Sequence, residues 1–151
     1  MHASNPKVDA YITGVLAGDV CAGELVRLAV KRHADDLERW PAKDCDEAKR
    51  RGDPFWFDED AGQYVLDFYA LCRHVEGELA GKPFDPLPWQ CFVDYVSFGW
   101  MRTDTGARRF NERWIEVCRG NGKSYWMSAN GDYMTLADGE PGAKVFGCLD
   151  G

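Results

Sequence analysis

The sequence has no apolar run approaching the roughly 20 residues a membrane-spanning helix needs, and its mean hydropathy is −0.44. No membrane association is expected. Met1-His2-Ala3-Ser4-Asn5-Pro6-Lys7 have no hydrophobic stretch behind them, so no secretory leader is expected either, and the predicted location is cytoplasmic. The six cysteines, Cys21, Cys45, Cys72, Cys91, Cys118 and Cys148, include no CxxC pair. A disulfide scaffold would crowd them into a shorter, loop-rich chain. A zinc site would need close ligand pairs, which neither the cysteines nor His2, His33 and His74 supply. Reduced, mostly buried thiols and no metal–thiolate site are the expectation. Internal repeats and low-complexity segments are missing too. So is an excess of positive charge: a net charge of −7 and a pI near 4.9 argue against a dedicated nucleic-acid-binding surface, which must neutralise phosphates.

What is present suits a soluble globular protein. With 45% hydrophobic and 28% charged residues, the chain has the apolar surface for a core. Its 151 residues fit one domain. The positive charge is clumped. Lys49-Arg50-Arg51 reads as a solvated loop, the usual fate of a charge run. A second group, Arg108, Arg109, Arg113, Arg119 and Lys123, matters more because of the motif it surrounds.

Val8, Tyr11, Ile12, Val15 and Leu16 recur at helical spacing, and Gly18-Asp19 closes that helix. A second helix, from about Gly23 to Trp40, puts Leu25, Leu28, Ala29 and Leu37 on one stripe and is stopped by Pro41. His33, near that stripe, reads as a packed or partly exposed histidine rather than a ligand. Residues 41–57 read as a loop that docks Phe55-Trp56-Phe57 on a core. Asp58 is an N-cap, with Glu59 and Asp60 at the positive end of a helix carrying Val65, Phe68, Cys72 and Val75 and fading at Gly77. Ala80 to Pro88 is a rigid connector, and Pro88 opens a helix over Trp89 to Phe98. Asp104-Thr105-Gly106 is a turn between Trp100-Met101-Arg102 and Arg108 onward. Trp114 to Cys118 is a short β-favouring run. A helix from Ser124 to about Ala137 follows, closed by Asp138-Gly139-Glu140-Pro141-Gly142, and Lys144 to Cys148 reads as a second strand. The predicted fold class is α/β: a helical segment over 1–100, then one strand–loop–helix–strand unit over 101–151. Two parallel strands are too few for a covered sheet, so the sheet implied is incomplete.

The informative hexapeptide is Arg119-Gly120-Asn121-Gly122-Lys123-Ser124. A phosphate-binding loop needs glycines so that backbone N–H groups can curl around phosphate oxygens, a lysine for the β- and γ-phosphates, and a hydroxyl for Mg²⁺. The following helix adds its positive end. The pattern G-x-x-x-x-G-K-[ST] would put its first glycine at Val117, so the match is degenerate. A nucleotide-binding loop and an ordinary exposed turn both fit these residues.

The loop from Glu116 to Ser124 resembles the deviant Walker A of tailed-phage large terminase subunits, which commonly lacks the first glycine and carries an arginine where Arg119 stands. Leu25-Val26-Arg27-Leu28-Ala29 and Arg32-His33 are similar to that family's amino-terminal helix. Gly81-Lys82-Pro83-Phe84 and Pro88-Trp89-Gln90 resemble its adenine-recognition segment. Gly99-Trp100, Gly106, Arg108-Arg109-Phe110 and Leu136 to Ala143 continue the likeness, which covers most of the chain in colinear order. The resemblance implies a P-loop NTPase sheet of the ASCE type and an ATP-driven motor that packages viral DNA into procapsids in the host cytoplasm, using ATP and Mg²⁺. It implies that Lys123 contacts the β- and γ-phosphates, Ser124 holds Mg²⁺, and Gly120, Asn121 and Gly122 form the backbone cradle. Arg119 would stabilise charge developing during phosphoryl transfer, or serve as a phosphate-contacting or structural arginine. Gln90 would read the adenine edge, since an amide both donates and accepts in one plane. Trp89 packs nearby or simply fills a core. The implied partners of the intact protein are a portal, a small terminase subunit and double-stranded DNA, with an oligomeric ring only for the full-length protein.

The chain also departs from that family. No Walker B motif, coupling motif or RNase H-like nuclease domain can be read in it, and neither Glu140 nor Asp150 follows the apolar strand a Walker B acid requires. Tyr125, Trp126 and Asn130 replace small or aliphatic residues. The expectation is a truncated segment, as in a decaying prophage, with weak or absent hydrolysis by this chain alone. The alternatives are a non-enzymatic helical interaction module whose glycine-rich loop is incidental, and a fragment of another P-loop ATPase.

Overall fold

A computed structural model of the chain describes residues 5–75, 77–139 and 144. Among them the elements are mixed helix and strand: six α-helices, two short 3₁₀ turns and one two-stranded antiparallel sheet. Contacts divide the chain into two compact units, Met1–Leu66 with Leu87–Trp114, and Asp67–Pro86 with Ile115–Gly151. Residue 100, where the sequence suggested a boundary, lies inside the first.

The first unit opens with α1 (Pro6–Ala17). The Asn5 side chain accepts from the N–H groups of Lys7 and Val8, and Gly18 closes the helix at φ 86°. Helix α2 (Glu24–Arg39) ends at Trp40, before Pro41. Its buried side is not the predicted stripe. Val30, His33 and Asp36 face inward, while Leu25 is 80% and Leu28 54% exposed. Leucine spacing alone could not show this, because the inward face is set by groups far along the chain. The Trp100 indole donates to His33 Nδ1 at 3.0 Å, and Arg109 donates to Asp36 at 2.7 Å.

Residues 41–57 are not the expected loop. Asp44 accepts from the Glu47 N–H, and the Glu47 carboxylate accepts from the Lys43 N–H, at the start of α3 (Cys45–Arg51). Acidic residues occupy its first turn, Lys49-Arg50-Arg51 its last, and Gly52 closes it, as the helix dipole favours. With only Ala48 buried, it lacks the apolar periodicity that reveals longer helices. Strand β1 (Phe55–Phe57) follows and pairs with β2 (Trp100–Arg102), setting Phe57 opposite Trp100. Between them in sequence lie α4 (Glu59–Phe68), capped by Asp58 accepting from the Ala61 N–H, and α5 (Pro88–Gly99), which is buried along most of its length. Gly62 lets α4 approach α5: a Cβ there would sit 2.8 Å from the Tyr95 carbonyl oxygen. After β2, the turn at Asp104-Thr105-Gly106 returns the chain, with the Arg109 N–H bonded to the Trp100 carbonyl.

In the second unit, the helix expected to run on to Val75 stops at Phe68. Tyr69–Leu71 tighten into a 3₁₀ turn and Cys72 becomes extended, its carbonyl accepting from the Phe84 N–H. His74 and Lys82 also pair through their backbones, making a hairpin-like loop of the connector. Helix α6 (Lys123–Leu136) carries the buried residues Trp126, Ala129, Asn130 and Tyr133. Phe68 packs edge-on to Tyr133, and Asn130 donates to the Tyr69 hydroxyl at 2.8 Å.

The strand expected at Trp114 to Cys118 is not formed. Residues 114–118 alternate between exposed and half-buried, with Trp114 92% exposed, yet none pairs with another strand among the described residues. A strand is stabilised by a hydrogen-bonded neighbour, so β propensity without one leaves an irregular segment. The strand expected over Lys144 to Cys148 lies, apart from Lys144, outside the described residues. Of the expected βαβ unit, the described residues show one helix and the loop before it, and the only sheet among them is antiparallel.

Candidate functional site

Gly120 and Gly122 adopt φ angles of 88° and 67°, and Asn121 between them keeps a negative φ. Left-handed residues alternating with residues of negative φ are the kind of backbone from which anion-binding concavities are built. Only glycine takes those two positions without strain. The Asn121 amide donates to the Cys118 carbonyl at 3.1 Å and ties the loop across itself. Lys123 is the first residue of α6, and the first helical bond runs from the Trp126 N–H to the Gly122 carbonyl. The N–H groups of Lys123, Ser124 and Tyr125 thus sit at the open, positive end of a 14-residue helix with no acidic residue in its first turn. Arg119, Lys123 and Ser124 are exposed and have no side-chain partner among the described residues.

The Lys123 ammonium and the Ser124 hydroxyl have no partner among the described residues, and both lie at the open start of α6. Among the described residues, no group of three or more His, Cys, Asp or Glu could hold a metal ion. Mg²⁺ held by one hydroxyl, phosphates and water needs no such group.

Gln90 belongs to the first unit and the loop to the second. Gln90 is the third residue of α5 and only 1% exposed. Its Oε1 accepts from the Leu87 N–H at 2.8 Å, while its Nε2 is buried with no partner in the described structure. The acceptor half of the amide is spent on closing the helix start, so this conformation does not present the paired donor and acceptor that an adenine edge needs. Trp89 is half-buried and, with Lys7, Tyr11 and Val20, lines an apolar groove of about 450 Å³ on the first unit.

The basic cluster divides in two. Arg109 is paired with Asp36 and lies over the rings of Trp40, Phe55, Trp100 and Phe110 at 4.4–5.3 Å. Arg113 bonds the fully buried Asp94 at 2.5 Å. These two arginines hold the first unit together, whereas Arg119 and Lys123 remain available. Tyr125, Trp126 and Asn130 make sense as packing. Tyr125 stacks on His74 with ring centroids 4.4 Å apart, and its hydroxyl donates to the Arg73 carbonyl. Sequence spacing gives no sign of His74, which lies 51 positions before Tyr125 (125 − 74 = 51). No protein-family model, curated protein or solved structure matches the chain.

Proposed function

We propose that the chain is the nucleotide-binding, amino-terminal part of an ATPase of the phage large terminase type, with Mg-ATP as its ligand. One observation carries this reading: the two left-handed glycines on either side of Asn121 feed directly into the open N-terminus of α6 at Lys123-Ser124. The colinear motifs described above support it. In this reading the loop amides of Gly120, Asn121 and Gly122 and the Lys123 ammonium hold the β- and γ-phosphates. Ser124 takes Mg²⁺, which supplies charge neutralisation. Arg119 stands free to meet negative charge at the loop. In the intact motor the partners are a portal, a small terminase subunit and double-stranded DNA, and the sheet is completed by further strands of the ASCE type.

Titration calorimetry of the purified chain with Mg-ATP, beside Lys123→Ala, tests this. Saturable binding that disappears in the variant is expected. A folded wild-type chain that does not bind would sink the proposal. The second reading, a helical interaction module, is favoured by the exposed Leu25 and Leu28 on α2. It expects a folded chain indifferent to nucleotide.

A further inference from the structure

The phosphate loop has little of its own to hold it. Residues 119–124 are exposed, and two of them are glycines in the left-handed region. The Asn121 amide on the Cys118 carbonyl ties the loop only to itself. Its placement therefore depends on α6, into which it runs. Trp126 is fully buried and holds one side of the first turn. Tyr125, about 100° away round the helix, holds another, and its partners lie far earlier in the chain.

Three contacts converge on the Tyr125 side chain. Its ring stacks on His74, with centroids 4.4 Å apart and planes 25° from parallel. Phe84 tilts against it at 4.9 Å, and its hydroxyl donates to the Arg73 carbonyl. These partners belong to two short arms, residues 72–74 and 82–84, that pair with each other. The His74 N–H donates to the Lys82 carbonyl at 3.0 Å, and the Phe84 N–H to the Cys72 carbonyl at 2.9 Å. Arg73 and Pro83 are opposed between those bonds, so His74 and Phe84 share the other face of the arms. Their rings also meet each other, at 5.8 Å. Tyr125 thus sits in a two-ringed seat, while its own N–H is one of the open donors at the start of α6.

We propose that the paired arms are a clamp that positions the phosphate loop, and that His74 is the positioning residue, acting through Tyr125 without touching the ligand. The inference rests on the nucleotide reading above. A glycine-containing loop loses conformational freedom when it closes on an anion. A seat that fixes the adjoining helical turn beforehand removes part of that cost. The coupling is reciprocal: whatever the seated arms add to ligand affinity, bound ligand adds to the stability of the arms.

Two readouts on the full chain test the clamp: calorimetry with Mg-ATP, and amide exchange followed by NMR with and without Mg-ATP. The proteins compared are wild type, His74→Ala, His74→Phe and Lys123→Ala. His74→Ala is expected to weaken Mg-ATP by about two- to tenfold, the worth of one aromatic pair. His74→Phe keeps a ring on Tyr125 and should restore wild-type affinity. Mg-ATP should slow exchange of the His74 and Phe84 amides in wild type and leave them unchanged in Lys123→Ala. Wild-type affinity in a folded His74→Ala overturns the clamp and leaves the nucleotide reading standing, as does an equal loss in His74→Phe. Exchange at His74 and Phe84 that bound Mg-ATP does not slow overturns it as well. That measurement needs no variant, so it decides the matter even where His74→Ala does not fold. Failure of wild type to bind Mg-ATP overturns the nucleotide reading itself, and the clamp with it.

Discussion

His33 illustrates how much a single residue's role depends on its partners. An indole only donates, so the hydrogen bond from Trp100 requires an unprotonated Nδ1 on His33. Burial is the main cause that lowers its pKa from 6.5 to about 4, against Asp36, which acts to raise it. The unfolded chain therefore takes up this proton near pH 6.5 and the folded chain only near pH 4. The contribution is fully present above pH 6.5 and is lost as the pH falls toward 4, by at most roughly 3 kcal/mol. Urea midpoints measured between pH 7 and pH 4.5 should fall more steeply for wild type than for His33→Gln. Equal slopes would show that His33 is not held neutral. Arg109 and Arg113 make a similar point. On the chain they look like part of one basic group with Arg119 and Lys123, but carboxylates at Asp36 and Asp94 claim them.

At the scale of elements, most helix starts were legible, but the end of α4 at Phe68 and the inward face of α2 were not. Asn5, Gly18, Pro41, Asp58 and Pro88 act within a turn of themselves, so their effects can be read directly. Helix α3 carried the same signals, Asp44 with Glu47 and then Gly52, but its seven residues bury too little for periodicity to reveal it. The packing of α4 on α5 depends on the bare backbone of Gly62, which spacing does not disclose. Gly62→Ala brings a methyl carbon to within 2.9 Å of the Tyr95 ring. The overpacking should cost roughly 1–3 kcal/mol, outweighing the gain of about 1 kcal/mol in helix propensity. A chemical denaturation curve settles the sign: an unchanged or higher midpoint means the helices can move apart at no cost.

For the whole molecule, charge decides more than any local motif. A net charge of −7 repels DNA, and two of the arginines that could offset it are committed to internal carboxylates. Mobility-shift titration with duplex DNA at about 0.15 M salt should show no binding by this chain, because affinity of this kind rests on free cations that release counterions. Salt-dependent binding would instead reveal a basic surface that the pairing of Arg109 and Arg113 leaves intact.

What the sequence determined by itself was local: where most of the longer helices start, the turn at Asp104-Thr105-Gly106, and a glycine-rich loop running into Lys123-Ser124. Each depends on backbone preferences acting over a few residues. Tertiary structure decided the rest. It turned α2 onto Val30 and His33, paired Phe55–Phe57 with Trp100–Arg102, left Trp114 to Cys118 without a strand partner among the described residues, folded the Gln90 side-chain oxygen into its own helix start, and stacked Tyr125 on His74. Those outcomes depend on which groups, distant along the chain, satisfy each other's hydrogen bonds and fill each other's space, and no spacing within a single segment encodes that.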